Sequence, residues 1–163
     1  MKFKVYDHRN GSRAVGAADR MNVENVINFV YPPIGSFEAK EITKPILDAL
    51  GRLGWSGSVK VGRGTGISIS SLHADVGLAV QFGNISRIYA DLLKLQVLYL
   101  EEKIASAVII TPMKSLLPRL SSSGKGDNRC NYDRIAREMP VFSKVITVPM
   151  LIYGLYTEDE ENV

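Results

Sequence analysis

DVGLAVQFGN, residues 75–84, alternates in side-chain character with a period of two. Val76, Leu78, Val80 and Phe82 share one face, while Gly77, Ala79 and Gln81 share the other, the pattern of a β-strand. Asn84 stands where it can cap the longest helix of the chain, ISRIYADLLKLQVLYLEEKI. Within that helix Ile85, Ile88, Leu92, Leu95 and Tyr99 recur at helical spacing and predict a buried stripe. The uncharged ASAVIITP that follows reads as a short central strand.

Upstream, SVKVGRGTGISIS alternates around a glycine-rich turn, the mark of a β-hairpin. Further back, Asn22–Val30 carries Val23, Val26, Ile27 and Val30 at helical spacing, and Pro32 and Pro33 end that helix. A second helical stretch runs from about Ser36 to Leu53, where Gly51 and Gly54 stop it. Pro45 implies either a kink or a firm part that begins near Thr43, with the proline in its first turn. Downstream, SSSGKGDN is a flexible loop, NYDRIAREM a helix stopped by Pro140, and KVITVPMLIYGL one or two closing strands. Helices, antiparallel strands, helix, strand, helix, strand: this order predicts an α/β sandwich with a mixed sheet.

At 163 residues the chain suits one domain, expected over residues 1–156, with TEDEENV (157–163) as an acidic C-terminal tail. The 45% hydrophobic and 23% charged content belongs to a soluble globular protein. No apolar run approaches the ~20 residues that span a bilayer, and MKFKVYDHRNG lacks the apolar core of a signal peptide, so a cytoplasmic location is expected. One cysteine, Cys130, and two distant histidines argue against an internal disulfide and a structural zinc site. The tail holds four of the 17 acids, so residues 1–156 carry 20 basic and 13 acidic side chains, a net +7. Such a surplus suits a polyanionic partner such as DNA.

Several stretches could carry chemistry. GRGTG leads from one strand into another, so a hairpin turn explains it better than a phosphate-binding loop, which must open a helix. His73 and Asp75 in SSLHAD could ligate a metal or relay a proton, and a solvated turn is the plainer reading. Ser122 and Cys130 have no suitably spaced base to make either a nucleophile. Arg87, Asp91 and Lys94 lie on one side of their helix, as a solvated ion-paired face or as a contact to a DNA backbone or a second subunit. Lys114, Arg119, Lys125 and Arg129 stand among small residues in KSLLPRLSSSGKGDNR, a setting that suits phosphate contacts.

With these elements placed, GLAVQFGNISRIYADLLKLQ, ASAVIITPMKSL, NYDRIAREM and KVITVPMLIYGL, in that order, resemble the BglII/BstYI-type restriction endonucleases. The resemblance covers about residues 36–156, and VQFGN with the helix–strand–TPMKSL order is its most specific part. It implies a variant of the PD-(D/E)XK nuclease core, a restriction-endonuclease-like mixed β-sheet flanked by helices. It also implies a homodimer that hydrolyses a phosphodiester in each strand of a short palindromic DNA site with Mg²⁺, one active site per strand. The resembled site is an Asp, nine residues on a Glu, then x-Gln, the carboxylates holding metal.

Gln81 falls on the family's Gln, Ala79 on its Glu and Ser70 on its Asp. Neither alanine nor serine supplies the negative charge of a hard-cation site. Three explanations follow: carboxylates drawn from elsewhere, a natural pseudo-nuclease that binds DNA or a partner, or an engineered inactivation. Under the first, Gln81 orients water or phosphate, Asp75 with Glu38 or Glu41 holds Mg²⁺, and Asp75 and Glu41 join Gln81 as catalytic residues. Lys114, Lys125, Arg129, Arg87 and Lys94 would then contact double-stranded DNA.

Overall fold

The computed structural model describes residues 1–121 and 128–158. The chain opens with strand β1 (Lys2–His8), the single turn α1 (Gly11–Ala14) and helices α2 (Ala17–Phe29) and α3 (Lys40–Arg52). The short strands β2 (Val59–Lys60), β3 (Ser68–Ile69) and β4 (Ser71–His73) lead to β5 (Val76–Val80). Then come α4 (Ile85–Leu100), β6 (Ser106–Pro112), a 3-10 segment (Lys114–Arg119), α5 (Tyr132–Phe142) and β7 (Met150–Tyr156).

Five strands form one mixed sheet in the order β1-β7-β6-β5-β4, and β2 and β3 form a separate hairpin. β5, β6 and β7 are parallel, while β4 and β1 flank them antiparallel. β6 is therefore the central strand, and all seven of its residues are buried, which its uncharged composition requires. One sheet face (Leu78, Val108, Ile110, Leu151, Tyr153) packs with Val23, Val26 and Ile27 of α2 and Ile42, Ile46 and Leu50 of α3. The other (Ala79, Ala107, Ile109, Met150, Ile152) packs with Ile88, Leu92 and Leu95 of α4 and Ile135 and Met139 of α5. Each such Leu or Ile side chain contributes roughly 1.5–3 kcal/mol when fully removed from water. The result is the expected layering of a mixed sheet between helices.

The structure refines the local expectations. Lys2–His8 is an edge strand, antiparallel to β7 from Lys2↔Tyr156 to His8↔Met150. Its lysines face solvent, so it carries little apolar alternation, as edge strands that resist further pairing do. α2 starts at Ala17, earlier than Asn22. α3 is firm from Lys40, and α5 runs through Pro140 to Phe142. Pro45 and Pro140 are both exposed, so each ring sits on the solvent side of its helix. KVITVPMLIYGL yields a single strand, because Ile146 and Val148 are buried in a turn segment before Met150. Thr157 and Glu158 are tied down by Arg119 at 3.4 Å and Lys2 at 3.1 Å, and residues 159–163 lie outside the described part. Among the described residues no helix is long and apolar enough to cross a membrane.

Candidate functional site

Gln81 leaves the C-terminal end of β5, where its N–H donates to the Ile110 carbonyl at 2.8 Å and keeps it in register with β6. Its side chain lies on the α4 side of the sheet, as the alternation of the strand requires. Nε2 donates to Asp91 Oδ2 at 3.0 Å, and Oε1 accepts from the Gly83 N–H at 2.9 Å. Asp91 is buried, 6% exposed, and its other oxygen accepts from Lys94 Nζ at 2.8 Å. Arg87 lies over Gly83: a Cβ built there would meet Arg87 Cδ at 3.5 Å and Gln81 Oε1 at 3.0 Å. Gly83 thus leaves room for both side chains. Gly77 does the same for the helix, since a Cβ on it would stand 2.9 Å from Leu95 Cδ2 of α4. The cluster of Gln81, Arg87, Asp91 and Lys94 holds two cations and one carboxylate.

The β4–β5 register runs Ser71↔Leu78, Leu72↔Gly77 and His73↔Val76, and Ser70 stands just outside it, its N–H donating to the Leu78 carbonyl at 3.0 Å. Ala79 is 1% exposed and belongs to the apolar cluster that contains Ile69, Ile88 and Ile109. Ser70 sits between β3, which pairs in the hairpin, and β4, which joins the main sheet. There its Oγ accepts from the Val80 N–H at 3.0 Å and replaces the ladder acceptor lost at the kink. Ser70 also lines a cleft of about 640 Å³ whose carboxylate, Asp48, is held by Lys44 at 2.5 Å.

The other candidate acids do not join Gln81. Asp75 is exposed in the turn at the opposite, N-terminal end of β5, with its carbonyl bound by the N–H groups of Ala105 and Ser106. Six residue steps along the strand separate it from Gln81, roughly 20 Å at ~3.3 Å per step. Glu41 accepts from the Glu38 N–H at 2.7 Å and closes the first turn of α3, while Glu38 pairs with Lys40 at 2.7 Å. Among the described residues no three His, Cys, Asp or Glu side chains converge on one point, so Asp75, Glu38 and Glu41 do not form a metal cage. His73 is bound to Asp19 at 2.6 Å and stacked on Trp55, away from Asp75's expected role.

Of the expected DNA contacts, Arg87 and Lys94 are beside Gln81, and Lys114 is exposed at the C-terminal end of β6, its N–H bound to Asp133 at 2.8 Å. Arg129 serves the fold instead, since its Nη1 donates to the carbonyls of Leu117 and Leu120 at 2.6 and 2.8 Å. Lys125 and Ser122 lie outside the described residues. Cys130 is buried against the Gln81 carbonyl at 3.1 Å, and burial pushes its thiol up to about 11, which leaves it inert as a nucleophile. Asp91 is the site residue that its helix-face reading undervalued. Its place at the border of the apolar stripe, one helical turn from Arg87, was the available signal.

The sequence matches the model of the restriction endonuclease BglII/BglIII family over residues 3–155. The chain belongs to the restriction endonuclease BglII/BglIII family. Restriction endonuclease BglII, solved in complex with a DNA 16-mer, superposes with a TM-score of 0.78 at 17% identity. That match covers 97% of this chain and 79% of the other, and it bears out the fold. No curated protein matches the sequence. The BglII/BglIII family generally uses a divalent metal. A hard cation such as Mg²⁺ takes oxygen ligands, carboxylates above all. Here Ala79 offers none, the Ser70 hydroxyl is engaged with backbone, and Asp91 and Asp48 each carry a lysine ammonium. The residues present do not fit a Mg²⁺ site of the family's kind.

Proposed function

We propose that this family member is a restriction-endonuclease-like protein that binds double-stranded DNA at the C-terminal ends of β5 and β6. The family match over residues 3–155 carries this reading, and the cation-rich cluster at Gln81 supports it. A duplex laid there would meet Arg87 and Lys94 beside Gln81 and Lys114 one strand away. The net +7 of residues 1–156 adds a sequence-independent attraction. A homodimer on a short palindromic site and a cytoplasmic place of action belong to the same reading. The apolar flank of α4 (Leu93, Val97 and Leu100) with Ile67 of the hairpin is the surface that suits a second copy.

Phosphodiester hydrolysis is the activity that the family name carries. In this chain it stands behind DNA binding, because both acid positions are occupied by Ser70 and Ala79. Incubation with plasmid DNA in Mg²⁺ or Mn²⁺ separates the two: an intact plasmid that is nevertheless retarded in a low-salt gel is expected. Discrete cleavage, abolished in a Gln81→Ala variant, would restore the nuclease reading with Gln81 as its active-site residue. Absence of any binding at low salt would end the DNA reading altogether.

A further inference from the structure

We infer that the cluster at Gln81 is a metal-independent phosphate site, in which the Lys94 ammonium and the Arg87 guanidinium supply the positive charge that the family otherwise obtains from a divalent ion. The inference rests on the DNA reading above and adds how the backbone is held. Where the resemblance expects two carboxylates, Ser70 Oγ accepts from the Val80 N–H and Ala79 is packed in the core, so neither supplies an anionic oxygen. On the neighbouring helix, a buried carboxylate is already satisfied from both sides: Lys94 at 2.8 Å and Gln81 at 3.0 Å. With Arg87 alongside, one carboxylate and two cations leave the cluster at +1. A site of that sign repels a divalent cation and attracts a phosphate oxygen. Asp91 in this arrangement is a positioning residue, since it fixes the ammonium on the sheet side of α4.

Two measurements on the full chain test this. Calorimetric titration of the free protein with magnesium chloride should show no saturable binding; saturable binding that Asp91→Asn abolishes would overturn the inference. Fluorescence anisotropy with a short DNA duplex should give the same affinity in EDTA and in magnesium at matched ionic strength. The exposed Arg87→Ala variant should weaken binding about threefold to tenfold and lower the salt slope by about one. Lys94→Arg should bind like the parent, whereas Lys94→Met should lose affinity with an unchanged circular dichroism spectrum. Binding that needs magnesium, or an Arg87→Ala variant with an unaltered salt slope, sinks the phosphate site while leaving the DNA reading intact. Loss of DNA binding under every condition sinks both.

Discussion

At the level of one residue, Ala79 shows that β5 offers a cation no carboxylate there: it is 1% exposed and packed in apolar surroundings. Glutamate at that position would enter the apolar cluster of Ile69, Ile88 and Ile109. It should destabilise the fold by roughly 3 kcal/mol in urea unfolding, since no partner waits for the charge. A loss below about 1 kcal/mol would mean that the pocket still accepts an acid. His8 gives the pH dependence. It is buried, its Nε2–H donates to the Ile146 carbonyl at 2.8 Å, and burial holds its pKa below the ordinary histidine range. As pH falls below about 6.5, the unfolded chain binds a proton that the folded chain refuses, so stability drops on the acid side. Urea midpoints measured from about pH 8 down to pH 5 should fall in the parent and fall less in His8→Gln. Equal slopes would show that other groups dominate the acid limb.

The strand–helix–strand unit β5–α4–β6 holds the site together at the next scale. Asn84 caps α4 with its Oδ1, which accepts from the Ser86 N–H at 2.9 Å. Asn84→Ala should cost about 1 kcal/mol by thermal or urea melts. Gly77→Val should cost about 1–3 kcal/mol, because its Cβ would stand 2.9 Å from Leu95 and 3.0 Å from Ile104 and must displace both. A melt unchanged by Gly77→Val would mean that α4 rides higher on the sheet than its contacts imply. Period and capping made β5, α4 and β6 readable from sequence, since each buries a whole face or stripe. β1 was not readable, because an edge strand with solvent-facing lysines shows only weak alternation. Pro140 misled as a helix stop and Pro45 as a kink or first-turn residue, yet on the exposed side of a helix a proline costs a hydrogen bond that water can replace.

For the molecule as a whole, charge and apolar surface make separate predictions. DNA affinity should fall linearly in log–log form as salt rises, with a slope near −0.9 for each phosphate neutralised. Under the proposed homodimer, introducing charge at Leu93 and Val97, 55% and 41% exposed on α4, should leave monomers in sedimentation. A dimer that survives those changes uses another face. By itself, the sequence determined the element pattern of the core and the family resemblance, because periodicity and residue type are local properties. Only the tertiary structure decided which charges meet. It set Asp75 at the far end of β5, turned Glu41 back onto its own helix, and brought Asp91 and Lys94 of α4 against Gln81. The physical reason is that strand direction and helix packing, which bring Gln81 and Asp91 together and hold Asp75 and Gln81 apart, are fixed by burial of the whole core and by no single stretch of chain.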